Sequence, residues 1–468
     1  MTGPASLLGV DVGSNFTKAA LFEAIEGRYR LVGRSQARTS AGNHVYDGLE
    51  RACAHIAQVA GRELFAGGEP LAGDVSPGRG VDELAVTVSC FRPLRVLATD
   101  PQAAAAARSE RCRVHLLTGR TLAEEVDSAA SGAWDAVAGR ERDVERALLL
   151  LGVGPRRLQS LDAQPGTERS GPTVRVVTGQ TGDIGRQLRE LALERALEEL
   201  PGLPDLASAA TQPLESSAGG LGELTRLIAS RFGLRLAIAD CGSTQTAISR
   251  ATPTELSTRV LLHPRALTDI PVTEAGISAM HDALQDLLAG CAEQELTADV
   301  IVATGALARC GSWSTPALTL LNGIRPAGVV QLALDAAGIV GPLSSLARAF
   351  PEAASEVFER HALTGLGAAV CPRGSLRAGA KAVDVRWRVG DRPDQQRLIK
   401  AGELVRLAVP PGERVSLTLH PSREVDVGLG RPGVAASATV DGGRVGLIVD
   451  AREAAAKSQR RPWEAALA

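Results

Sequence analysis

Short apolar runs separated by turn residues open the chain. Residues 7–11 read as a strand, Gly13-Ser14-Asn15 as a tight turn, and 17–22 as a returning strand; after Glu26-Gly27 a third begins at Tyr29 and runs a little past Val32. Three antiparallel strands are therefore predicted before residue 40. Val45, Leu49, Cys53, Ile56, Val59 and Ala60 recur at helical spacing, and glycines and prolines between 67 and 80 break that pattern.

Strands then alternate with helices. Strands are predicted at 84–89, 114–117, 147–151 and 174–178, with helices at 101–110, 122–138 and 184–200. This alternation predicts an α/β layer architecture with at least partly parallel pairing. A connection at 201–222 leads to a helix at 224–232. At Leu236 the opening pattern returns: an apolar strand at 236–240 ending in Asp, a Gly242-Ser243 turn, and an outgoing strand at 246–249. A helix at 275–288, a buried strand at 300–303 and helices at 329–336 and 343–349 follow. The tail reads as β at 383–389, 404–409, 415–419 and 445–449.

Length and composition bound the picture. The 468 residues correspond to about three domains. A net charge of −2 gives no global field for nucleic acid or an anionic membrane, and seven Phe, four Trp and two Tyr are too few for base-stacking platforms. The basic residues include only four lysines, Lys18, Lys381, Lys400 and Lys457, so a lysine here stands out as a compact point charge among arginines. Seven scattered cysteines without a C-x-x-C pair predict reduced thiols in a cytoplasm, and the dispersed histidines outline no zinc site. The first residues lack the basic start of a secretory signal, and no run of about 18 apolar residues is present to span a membrane.

The candidate chemistry lies in the repeated hairpin. In G-V-D-V-G-S-N-F-T-K, residues 9–18, Gly13 permits a tight turn and close backbone approach, and the N–H groups of Ser14 and Asn15 can form an anion nest. Asp11 at the strand end can hold water around Mg²⁺, and Lys18 on the return strand can reach a phosphate. The second hairpin, A-D-C-G-S-T-Q-T, residues 239–246, repeats the arrangement with Asp240, Gly242, Ser243, Thr244 and Thr246. Two such hairpins can clamp a polyphosphate from opposite sides. A third motif, V-I-V-A-T-G-A-L-A at 300–308, runs a buried strand into Gly305-Ala306 and a predicted helix whose N-terminus suits a ribose or phosphate edge. Taken singly, D-x-G-S is also a common β-turn, and the third motif an ordinary strand-to-helix turn.

Together and in this order, the motifs resemble the actin, sugar kinase and heat-shock chaperone ATPase superfamily, including the D-x-G-S-x-x-x-K spacing of actin. The resemblance implies two ribonuclease H-like lobes around a nucleotide cleft, divided here as 1–80 and 81–233 for the first lobe with an insertion, 234–375 for the second, and 376–468 as a small C-terminal β module. It implies ATP or ADP with Mg²⁺ as cofactors. Asp11 and Asp240 would serve the metal; Gly13, Ser14, Asn15, Lys18, Gly242, Ser243, Thr244 and Thr246 the phosphates; and Gly305 and Ala306 the nucleoside. Within the superfamily the chain is similar to the glutamate mutase accessory family, called MutL or GlmL and unrelated to mismatch repair. Those motifs carry the likeness together with L-L-N-G-I-R-P-A-G at 320–328 and G-G-R-V-G-L-I-V-D-A-R at 442–452. That family implies an accessory or reactivating protein for an adenosylcobalamin-dependent mutase or aminomutase.

Departures fall in the middle. The family's C-S-S-A-A-G-G-L segment reads here as V-S-C-F-R-P-L-R at 88–95, and its G-G-T-D-G-G loop as L-G-V-G-P-R-R-L at 151–158. Ala306 replaces a commoner glycine, which points to slow or absent hydrolysis. For a water-activating group the candidate is Asp183, beside Gln180 in T-G-Q-T-G-D-I-G, which also reads as a helix N-cap. Cys241 reads as a small buried residue. Two other classes stay open: a small-molecule kinase, distinguished by a catalytic Asp in the substrate cleft, and a nucleotide-sensing scaffold without turnover.

Overall fold

In the computed structural model, which describes residues 3–39, 44–73, 75–117, 134–150, 158–159, 174–263, 273–289, 297–452 and 467, the strand Ser6–Val12 is buried at every position. That burial follows from its place inside a five-stranded sheet. It pairs antiparallel with Phe16–Ile25, which pairs with Arg28–Arg38, and on its other side parallel with Glu83–Val88, followed by Glu215–Ser216. Both faces are covered, so the strand is apolar rather than alternating.

The same order begins a second sheet. Leu236–Cys241 pairs antiparallel with Gln245–Ala251, which carries Leu256–Leu262 at the edge; Val300–Gly305 and then Gly328–Leu334 lie parallel on the other side. Thr364–Cys371, Gly446–Asp450 and Leu404–Leu407 extend this sheet to eight strands. The tail is thus shared between two sheets, because four further strands at 381–389, 395–400, 414–421 and 436–441 form a separate antiparallel sheet. Val383, Val385, Trp387, Leu417 and Leu419 of that sheet pack on Val370, Leu407 and Val449 of the larger one.

Two helices fill the space between the repeated sheets. Ser217–Phe232 and Val340–Leu346 bury Leu224, Ile228, Val340 and Leu343 against Leu7, Ala20 and Ala85 of the first sheet and Ile238, Ala247 and Val302 of the second. Gly9 has no side chain because Pro342 backbone lies directly against it. Between the strands Glu83–Val88 and Glu215–Ser216 the chain forms a five-stranded parallel sheet, in the order 158–159, 174–178, 136–139, 94–98, 112–116.

Three predicted elements differ. Residues 141–150 form a helix where a strand at 147–151 was expected: Val144, Ala147 and Leu148 are buried at helical spacing, and Glu141 and Asp143 occupy a favourable acidic first turn. Residues 136–139 are a strand, not the end of a helix at 122–138, whose remainder up to 133 lies outside the described residues. Gly328–Leu334 is a strand where a helix was expected at 329–336, since a short, mostly apolar run inside a covered sheet gives no clear alternation to read. The glycine-poor stretch at 151–158 lies outside the described residues except for its last member.

Candidate functional site

The two hairpins have one local frame. Gly13 N–H donates to Phe16 O at 3.0 Å, and Gly242 N–H to Gln245 O at 2.9 Å. Thr39 N–H donates to Asn15 O in the first, and His263 N–H to Thr244 O in the second. Thr17 and Thr246 are wholly buried, and their hydroxyls bond Thr39 Oγ1 at 3.0 Å and His263 Nε2 at 3.1 Å. Strand register places Asp11 beside Lys18 and Thr87, and Asp240 beside Ala247 and Thr304.

Both turns line one pocket. Asp11, Gly13, Ser14, Asn15 and Lys18 face Asp240, Gly242, Ser243, Thr244, Gly305 and Ala306 across it. The hairpins touch: Thr244 Oγ1 donates to Ser14 Oγ at 2.8 Å, and Ser14 Oγ to Ser89 O at 3.0 Å. Thr246 is turned away from the pocket, behind its hairpin. Asp183 does not line the pocket; it sits in the first turn of the helix Thr181–Glu199, which Gln180 begins without a side-chain bond. Its carboxylate complements the helix dipole at that end of the parallel sheet.

Charges alternate on the pocket floor. Lys18 Nζ is 3.8 Å from Asp11 Oδ2, and Asp11 Oδ1 accepts from Ser217 Oγ at 2.8 Å and Thr87 Oγ1 at 3.1 Å. Burial raises the pKa of Asp240; Lys18 opposes that rise, while Asp11 and Asp335 add to it. Asp335 is occupied with Thr304 Oγ1 and the N–H groups of Ile339 and Val340. A Cβ at Gly341 would stand 2.7 Å from Asp11 Oδ2, so this helix brings bare backbone against the acid. Gly305 has φ +72°, and a Cβ there would meet Asp240 Oδ1 at 2.6 Å. Burial pushes the Cys241 thiol upward, in keeping with an inert, fully buried residue.

Several residues of the site escape a sequence reading. The helix predicted after Gly305-Ala306 is only a three-residue 3₁₀ turn, Leu307–Arg309, and it delivers Arg309 to the pocket wall. The Arg309 guanidinium lies 5.2 Å from the centre of the Phe16 ring, whose other contact is Arg38 at 4.9 Å. Ser217, in S-S-A-G-G-L at 216–221, opens the helix Ser217–Phe232. Its hydroxyl holds Asp11 at 2.8 Å. The end motifs also meet: Arg452 bonds Asp450 through Nε at 2.8 Å and Asn322 Oδ1 through Nη2 at 2.8 Å, all three side chains buried.

The architecture is that of a mixed α/β protein in which two sheets of like order each turn a D-x-G-S hairpin into a common pocket. Residues 7–116 match the family model described as MutL protein, the family that the motifs resemble. No curated protein shows a significant match. Among solved structures, a nucleotide-free acetone carboxylase shares 10% identity over 85% of this chain and 81% of its own, with a TM-score of 0.35. A gluconate kinase from Lactobacillus acidophilus shares 11% over 77% and 90% (TM-score 0.32). The activator of 2-hydroxyisocaproyl-CoA dehydratase from Clostridium difficile, with bound ADPNP, shares 9% over 76% and 97% (TM-score 0.29). At these values the neighbours define neither substrate nor mechanism for this chain. Among the described residues no helix is long and apolar enough to cross a membrane, and no group of three or more His, Cys, Asp or Glu is arranged to hold a metal ion.

Proposed function

We propose that the pocket binds ATP with Mg²⁺ between two ribonuclease H-like lobes, and that the protein is an accessory factor which remodels or reactivates an adenosylcobalamin-dependent mutase or aminomutase in the cytoplasm. The observation that carries the nucleotide reading is the convergence of two hairpins of one frame, each contributing an acid and a small-residue turn, on one pocket. Turn N–H groups and hydroxyls of Ser14, Asn15, Ser243 and Thr244, with Lys18 as a point charge, suit phosphate oxygens. Asp11 and Asp240 suit Mg²⁺, which keeps most of its waters and takes only one or two carboxylates alongside phosphate. The metal, when bound, would neutralise phosphate charge. Gly305, Ala306 and Arg309 line the pocket where the nucleoside would extend.

Among the described residues that line the pocket, Asp11 and Asp240 are the only carboxylates, and both are engaged by the metal reading. Slow hydrolysis follows, with nucleotide exchange and lobe movement as the working step. The MutL match over 7–116 supports the accessory role. Isothermal titration with Mg-ATP tests the first part, and absence of binding overturns it. The second part is tested by adding the chain and ATP to an inactivated adenosylcobalamin mutase; activity that fails to return counts against the partner.

A further inference from the structure

Arg111 lies where the parallel sheet meets the second hairpin, just before the strand Cys112–Leu116, and is 8% exposed. Among the described residues, all its hydrogen bonds go to neutral acceptors. Nε donates to Phe91 O at 2.9 Å, and Nη1 donates to Gln245 Oε1 at 2.7 Å and Thr244 Oγ1 at 3.1 Å. The neighbouring acid does not compensate it, because Glu110 bonds Arg189 at 3.0 and 2.8 Å. Burial lowers the Arg111 pKa to about 10, so it remains a cation at neutral pH. A buried cation with no carboxylate partner among the described residues is costly to the folded state. Here it stands immediately behind a turn whose proposed ligand is a polyanion.

We propose that Arg111 is a positioning residue that turns the second hairpin into a donor surface for polyphosphate; this rests on the nucleotide reading above and deepens it. The reason is hydrogen-bond polarity. A threonine hydroxyl has one proton, and a glutamine amide has one oxygen and one NH₂ group. With Arg111 protons on Thr244 Oγ1 and Gln245 Oε1, the Thr244 proton must point away from Arg111, and Gln245 keeps its NH₂ for other acceptors. In this structure the Thr244 proton goes to Ser14 Oγ, and the Ser14 proton onward to Ser89 O. A single direction of donation therefore runs from the parallel sheet through both hairpins. A phosphate oxygen can replace Ser14 as the acceptor, and the Arg111 charge favours that exchange. Phosphate affinity is thereby made dependent on how the parallel sheet is seated.

The test is titration of the full chain with Mg-ATP, Mg-ADP and adenosine, comparing wild type with Arg111→Met and Arg111→Lys, after thermal melts establish folding. Arg111→Met is expected to weaken ATP about 30-fold, as loss of a charge-assisted contact predicts, and ADP less, with adenosine unchanged within about twofold. Arg111→Lys keeps the charge and is expected to recover part of the loss. Unchanged ATP affinity in Arg111→Met overturns the role, as does a parallel loss of adenosine, which marks ordinary structural damage. If Arg111→Met fails to fold, Arg111→Lys decides: ATP weakened with adenosine unmoved supports the role, and both unmoved or both weakened overturns it. Wild type that binds neither ATP nor adenosine overturns the nucleotide reading itself.

Discussion

The two hairpins have the same turn, the same buried threonine and the same acid at the strand end, yet they obtain positive charge differently. Opposite Asp11 the return strand carries Lys18; opposite Asp240 the same position is Ala247. The second hairpin instead has Arg111 behind it, supplied from the parallel sheet. Asp11 is held by two hydroxyls and a lysine, while the Asp240 pKa is raised by burial and neighbouring acids. A duplicated backbone frame thus acquired two chemistries. The first hairpin carries its own cation, and the second borrows one from the neighbouring parallel sheet.

Substitutions matched between the hairpins sharpen or break this contrast. The largest effect is expected from Lys18→Ala, which should weaken Mg-ATP about 100-fold in titration, the scale of a charge-assisted phosphate contact. Restoring a lysine on the other hairpin, Ala247→Lys, should not rescue it; rescue would mean that the hairpins are interchangeable. Next are Gly341→Ala and Gly305→Ala, which press a Cβ on Asp11 and Asp240 respectively. Each should cost about 1–3 kcal/mol in denaturant melts and blunt the Mg²⁺ dependence of ATP binding. Gly341→Ala with intact Mg²⁺ dependence would remove Asp11 from the metal set.

Thr17→Val and Thr246→Val should each cost about 1 kcal/mol, equal within error, because each breaks one buried hydroxyl contact of the shared frame. Clearly unequal costs would show that the frames differ in energy despite like geometry. The smallest effect concerns pH. Because the folded Asp240 pKa lies above its unfolded value, its stabilising contribution is complete below the unfolded pKa and is lost as pH rises through the folded one. Thermal melts of the nucleotide-free protein should therefore show a part of the stability lost over that rise, and Asp240→Asn should lack it.

The site was legible where its chemistry is local. D-x-G-S between apolar strands encodes a tight turn within a few residues, and both hairpins and Gly305-Ala306 line the pocket that the sequence order predicts. Long-range contributors were not legible. Ser217 reaches Asp11 from more than 200 residues away, and nothing in S-S-A-G-G-L specifies that contact. Arg111 lies in an arginine-rich stretch with no local feature to distinguish it from Arg108 or Arg113. Asp183 had a polar-turn context resembling a site, but a first-turn carboxylate satisfies the same pattern.

By itself, the sequence determined what short-range sterics and hydrogen bonding decide: the strand–turn–strand units, their glycines, and the acid and lysine they present. Only the tertiary structure decided which hairpin receives which cation, which of the apolar runs are strands, and that the chain's last strands complete the second sheet. The reason is that apolar periodicity records how a segment is buried, not by what. Partners across a sheet, behind a turn or above a strand are chosen by packing among segments far apart in the chain, and a carboxylate or guanidinium acquires its role from that surrounding.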